Sequence, residues 1–490
     1  MRTAPAVAAS TLLAAAANAQ NGVVRWDIER RELRPKLGKR AGDTFEEVIT
    51  NEQARGGYFA TCQVGTPGQD LTLQLDTGSS DIWVPYSQSS VCEGTTTSTN
   101  ACTFGSFNPD NSSTFDDVGE GQFDISYVDG SHSRGDYFTD AFEIGGANLS
   151  NLTMGLGIDT DIPYGLVGVG YALNEAIVSD TQSASSAYPN LPLAMQEEGL
   201  INTNAYSLWL NDLDSSTGNI LFGGIDTEKY KGDLTRIEIY KDSNSGAFSS
   251  FIVALTSLEA YSSSGSDTLT SQSFPIAVVL DSGTTLSYLP TDLAEQVWQE
   301  TGAVYSADIG LAVIPCSMQD SDGYFSFGFA GPNGPRINVT MDELVLDLTT
   351  GQAPTFSSGA YKGQDACEFG IQNFSSDPFL LGDTFLRSAY VVYDLENNEI
   401  GMAPTDFNAT DSNIVAFESK GATIPSATVA ANQNEVTQTP SFTQPAYAAA
   451  SGFGTKDSAA ALSFVMGSAQ LVVVGASMVV AMLGSGVFLV

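Results

Sequence analysis

The chain is short of cations, of histidine and of helix signals. Its 490 residues include 19 lysines and arginines against 57 acids, a formal net charge of −38, which argues against nucleic acid as a partner. The only histidine, His132, cannot supply a two-histidine zinc helix, and no G-x-S-x-G elbow accompanies it, so zinc and serine-hydrolase chemistry are both unsupported. No metal or cofactor is expected. Two short helices are predicted: one from Asp292 to Glu300, with Leu293, Val297 and Trp298 on one face and a stop at Gly302, and one from Leu193 to Glu198. What remains is 42% hydrophobic, with 48 glycines and many short β-type runs. This predicts a mainly β chain with two barrel-like lobes, 41–230 and 231–407.

One phrase occurs twice. Asp76-Thr77-Gly78-Ser79-Ser80 and Asp281-Ser282-Gly283-Thr284-Thr285 each close an apolar run, Leu71 to Leu75 and Ile276 to Leu280. An apolar pair and glycine follow each copy, Leu166-Val167-Gly168 and Leu380-Leu381-Gly382, so the chain runs twice through one plan. A carboxylate at the end of a buried strand is a poor place for an unpaired charge. Two such carboxylates brought face to face would share one proton, leaving one a general base for water and the other an acid toward a carbonyl. Peptide hydrolysis is the reaction this suits. The bland alternative is a pair of ordinary turns after strands. Retaining a proton, and relieving the charge of so acidic a chain, both favour an acidic working range.

The ends describe a route through the cell. Residues 1–19 carry one charge, Arg2, then an Ala/Leu-rich stretch and the cleavage pattern Ala17-Asn18-Ala19, as in a removable signal peptide. Residues 20–40 are basic and end in Lys39-Arg40, which resembles the processing site of fungal secretory propeptides. We expect a pro-segment whose cations lie over an acidic cleft until cleavage. Five cysteines are odd for an oxidising compartment. Cys92–Cys102 and Cys316–Cys367 are the most economical pairs, which leaves Cys62 as a buried apolar residue in a strand. Six glycosylation sequons stand at Asn111, Asn148, Asn151, Asn338, Asn373 and Asn408. Residues 408–450 lack any period and suggest an O-glycosylated stalk. Residues 451–490, uncharged from Ser458 onward, suggest a GPI signal with attachment near Ala449 to Gly452. The expected location is the outer plasma membrane or cell wall, and the expected state a monomer.

Several segments together resemble a known family. Tyr58-Phe59 through Gly65-Thr66-Pro67, the first motif continuing to Asp81-Ile82-Trp83-Val84-Pro85, Phe222-Gly223-Gly224-Ile225-Asp226, the second motif, and Leu381-Gly382-Asp383-Thr384-Phe385-Leu386-Arg387 are similar to the pepsin-type aspartic proteases. Within that family the chain most resembles the fungal surface-anchored yapsins and candidapepsins. The resemblance implies a bilobal fold with a cleft between the lobes and Asp76 and Asp281 at its floor, sharing a water. It gives Gly78 and Gly283 the role of close backbone approach, and Ser79 and Thr284 that of hydroxyl support. It makes 125–131 a flap, with Tyr127 directed at Trp83 and with Asp129 and Gly130 toward substrate.

Two positions depart from the family pattern. Gln74 falls where an aliphatic residue often lines the pocket for the side chain before the scissile bond, which predicts a wider choice of side chains. Val128 replaces a flap glycine, which predicts a stiffer hairpin. Peptides and proteins are the implied substrates. Two other readings are a catalytically silent pepsin-like binding protein and a cell-wall structural glycoprotein.

Overall fold

Alternation of apolar and polar residues builds most of the strands, and their order sets where the two repeats meet. The computed structural model describes residues 22–31, 57–94, 102–215, 217–307, 309–349 and 353–454, and a short strand at Leu471–Val472. The signal peptide, Lys39-Arg40 and the terminal apolar run, that strand aside, lie outside the described residues.

The first lobe comprises β1 (Val24–Arg31), β2 (Gly57–Val64), β3 (Gln69–Asp76), β4 (Ile82–Pro85), β5 (Asp116–Ser126), β6 (His132–Ile144), β7 (Ala147–Thr160) and β8 (Leu166–Gly168). These strands continue, through β1, into Thr217–Phe222, Ala205–Trp209, Ala389–Asp394, Glu399–Pro404 and Thr235–Glu238, forming one long sheet that underlies both lobes. The second lobe has its own sheet, built around Ile252–Ser262, Ile276–Leu280, Phe379–Leu381 and Tyr324–Phe329. The bilobal, mainly β architecture is the one expected. The main apolar cluster among the described residues runs through both lobes, from Leu73 and Leu75 to Val278 and Leu280, so burial of apolar surface drives their association.

The repeat has a direct structural meaning. β3 pairs in parallel with β8, Leu75 opposite Val167 and Asp76 opposite Gly168. Ile276–Leu280 pairs in parallel with Phe379–Leu381, Leu280 opposite Leu381. Each acidic loop is thus threaded beside an apolar strand ending in glycine. Helices form at Thr291–Thr301 and Leu191–Glu197, close to the sequence expectation. Disulfides join Cys92 to Cys102 and Cys316 to Cys367, and Cys62 is free and buried.

Three segments differ from expectation. First, residues 22–31, the described part of the basic segment, are built into the first lobe's sheet, and 32–40 lie outside the described residues. Val24, Trp26 and Ile28 face inward and are buried, and β1 fills the place between β2 and Thr217–Phe222. Arg25 pairs with Asp27 and Arg31 with Glu29 on the same strand. The period-2 pattern of Val-Arg-Trp-Asp-Ile-Glu is a strand signal, and the surrounding charge obscured it.

Second, residues 408–450 do not form a free stalk. Ile414–Ala416 pairs with Gly224–Asp226, and Thr428–Val429 runs parallel to Thr235–Glu238. Phe417, Ile424, Ala430 and Ala449 are buried. Their irregular spacing follows the surface that the segment crosses, so neither a helical nor a strand period exists to be read.

Third, the stretch expected to receive an anchor is built into the fold. Ala449 N donates to Asp267 Oδ2 at 2.8 Å, and its carbonyl accepts from the Ser262 hydroxyl at 2.6 Å. Phe453 is fully buried and stacks on Phe325, with centroids 5.3 Å apart.

Candidate active site

Each motif aspartate ends a strand and turns back on its own loop. Asp76 Oδ1 accepts from Gly78 N at 2.8 Å, and Oδ2 from the Ser79 hydroxyl at 2.5 Å. Asp281 repeats this, Oδ1 accepting from Gly283 N at 2.8 Å and Oδ2 from the Thr284 hydroxyl at 2.6 Å. Ser79 and Thr284 therefore occupy the supporting positions expected of them.

The two loops meet face to face. A Cβ on Gly78 would come within 2.5 Å of Asp281 Oδ1, and one on Gly283 would collide with Asp76 Oδ1. Only glycine lets each loop approach the other's carboxylate. Asp76 and Asp281 are both buried, 4% and 8% exposed. Burial first, then the neighbouring Asp281 carboxylate, push the Asp76 carboxyl well above the usual range. Two like charges so close cannot both ionise readily, and a proton is retained in the pair.

Residues between the aspartates and the glycines lock the loops together. Thr77 N donates to Ser282 Oγ at 3.2 Å, and Ser282 N donates to Thr77 Oγ1 at 2.9 Å. The hydroxyls pass these bonds on, Thr77 to Leu280 O at 2.9 Å and Ser282 to Leu75 O at 3.1 Å. Sequence reasoning overlooked this pair. Its signal was a hydroxyl residue directly after each aspartate.

The expected flap is a hairpin between β5 and β6. Trp83 Nε1 donates to the Tyr127 hydroxyl at 2.8 Å, and the ring packs in a cluster with Phe59, Trp83 and Phe123. Gly130 N donates to Tyr127 O at 2.9 Å, and Asp129 Oδ1 accepts from Ser131 N at 2.6 Å, so Asp129 shapes the turn. Gly130 has φ 86°, and Val128 at the tip is 66% exposed.

Gln74, expected to line the pocket for the side chain before the scissile bond, lies buried at the lobe boundary. It is 2% exposed, and its Nε2 donates to Gly283 O at 3.4 Å across the lobe boundary. Its neighbour Gly57 leaves room for that amide, since a Cβ there would lie 2.7 Å from Nε2. The side chain thus closes the seam between the loops. Of the six sequon asparagines, Asn373 is half-buried and the other five are exposed.

Beneath the site lie buried charges the sequence did not single out. Arg387 and Glu343 form a fully buried ion pair. Asp383, after Gly382, is buried; desolvation raises its carboxyl well above the usual range, opposed by Arg387 and then by Arg30 of β1.

Known proteins agree with this geometry. Residues 57–405 match the family described as eukaryotic aspartyl protease. The chain is 42% identical over 409 residues to the probable aspartic-type endopeptidase opsB of Aspergillus fumigatus, covering 84% of this chain and 80% of that protein. It is 38% identical to an acid protease of Saccharomycopsis fibuligera, covering 75% and 86% of the two chains. Against aspartic proteinase yapsin-3 of Saccharomyces cerevisiae the identity is 32%, covering 81% and 75%. Paired acidic loops at the floor of two β lobes and these matches across most of the chain lead to one conclusion: the protein belongs to the eukaryotic aspartyl protease family and is an aspartic-type endopeptidase.

Proposed function

We propose that the protein is a secreted, surface-anchored endopeptidase that hydrolyses peptide bonds at acidic pH with a water held between Asp76 and Asp281. The observation that carries this reading is the mutual approach of the two carboxylates through Gly78 and Gly283. One carboxylate takes a proton from the water as it attacks the peptide carbonyl, while the protonated partner stabilises the developing gem-diol oxygen. A proton then passes to the leaving amine. The amide and hydroxyl donors on each aspartate hold both groups in place, so little reorganisation accompanies the charge shift. Tyr127, Asp129 and Gly130 lie on a hairpin suited to closing over an extended peptide and excluding water.

A signal peptide at 1–19, a processing site at Lys39-Arg40, the sequons and the uncharged terminal run support a secretory route ending at the outer membrane face or wall; the monomeric state is part of the same proposal. The bonds made by Ala449 and Phe453 favour an attachment residue beyond Gly454. A catalytically silent relative would lack an aspartate or a motif glycine, and both motifs are complete.

The test is hydrolysis of unfolded protein at acid pH by the wild type and by Asp76→Asn and Asp281→Asn. Activity that pepstatin blocks, and that both substitutions abolish, supports the reading. Undiminished activity in either variant overturns it.

A further inference from the structure

The loop that begins with Asp76 ends with a second aspartate, Asp81, five residues on. It is fully buried, a costly position for a carboxylate unless donors surround it. Three do, one from the strand β6 and two from the segment 174–188. Ala176 N donates to Oδ2 at 2.8 Å; the Tyr188 and Tyr137 hydroxyls donate to Oδ1 at 2.7 and 3.1 Å. Tyr137 is on β6, the strand by which the flap returns to the lobe. Ala176 and Tyr188 bracket a surface segment, and that segment reaches back to the motif, Asn174 Nδ2 donating to Gly78 O at 3.1 Å. The Asp81 backbone is held as well, its carbonyl accepting from Gly168 N at 3.0 Å.

One carboxylate therefore joins the catalytic loop, the flap strand and the 174–188 segment. We propose that Asp81 is a positioning residue for peptide hydrolysis, fixing the flap and its Tyr127 relative to Asp76. It touches no reacting atom and acts through the elements it ties together. The neighbouring Glu175 supports the same junction, its Oε2 accepting from Tyr188 N at 2.9 Å. The inference rests on Asp76 and Asp281 as the reacting pair.

The experiment uses the full-length secreted enzyme, with active sites counted by pepstatin titration so that kcat refers to folded enzyme alone. Tyr137→Phe cuts only the flap tie. It should raise KM about fivefold with kcat within twofold, the worth of one buried hydrogen bond. Asp81→Ala cuts all three ties. It should raise KM and lower kcat together by about tenfold or more each, and Asp81→Asn, which keeps an acceptor for Ala176 N, should recover most of kcat.

A merely structural role predicts fewer titratable sites with unchanged kcat and KM per site. That result for Asp81→Ala, or an unchanged KM in Tyr137→Phe, overturns the proposal. Should Asp81→Ala fail to fold, Tyr137→Phe and Tyr188→Phe carry the test alone. A wild type that pepstatin titrates keeps the assignment of the reacting pair standing whichever way the Asp81 variants fall.

Discussion

Thr77 and Ser282 exchange hydrogen bonds across the lobe boundary, each backbone amide donating to the other's hydroxyl at 3.2 and 2.9 Å. The Asp76 and Asp281 carboxylates thus inherit their separation from a reciprocal lock one residue away. Thr77→Val keeps the shape of the side chain and removes its hydroxyl. It leaves Ser282 N without its acceptor and should cost about 1–3 kcal/mol of stability. A thermal melt reads the loss, and kcat should fall about tenfold as the carboxylates drift out of register.

Substituting Asp76 or Asp281 should separate activity from stability. Asp281→Asn should lower kcat by at least about a thousandfold. It also removes a like charge from beside Asp76, so the melting temperature at neutral pH should rise. A variant less stable than wild type at pH 7 would show that the pair carries no repulsion.

Stability should fall as pH rises. Desolvation is the largest cause lifting Glu175 to about 9, Glu300 to about 8 and Asp394 to about 6. These folded values exceed the unfolded ones, near 4, so the folded state binds more protons between the two. The stabilisation is complete below about pH 4 and is lost progressively up to about pH 9. Melting temperatures across that range should decline toward alkali, and Glu300→Gln should flatten the upper part of the curve.

The flap hydrogen bond makes a smaller claim. Tyr127→Phe removes the acceptor for Trp83 Nε1 and should reduce kcat/KM about three- to tenfold. Tyr127→Ala, which also empties space in the aromatic cluster, should cost clearly more.

Much of this was legible in the sequence because the chemistry demands particular residues at particular places. Asp76 and Asp281 declared themselves by repetition, and Leu166-Val167-Gly168 and Leu380-Leu381-Gly382 by the parallel pairing that each loop needs. Cys92 and Cys102 were near enough in sequence to be matched. Thr77 and Ser282 were visible yet unread, because a hydroxyl on a turn has many ordinary uses. Asp81 was hidden differently: its donors come from Tyr137, Ala176 and Tyr188, 56 to 107 residues away, and no local pattern joins them. For Gln74, strand alternation gives the face the side chain occupies and not the Gly283 carbonyl that meets it across the lobe boundary.

The terminal segment shows the opposite error, where composition suggested slack chain and packing made it part of the body. Thr437 Oγ1 donates to Thr256 O at 2.9 Å, Thr443 N to Thr270 Oγ1 at 2.9 Å, and Phe453 closes over Phe325. Ending the chain after Phe407 would uncover the apolar seam those residues seal. The shortened chain should unfold at lower temperature and self-associate, whereas a chain ending at Gly454 should keep its full thermal resistance.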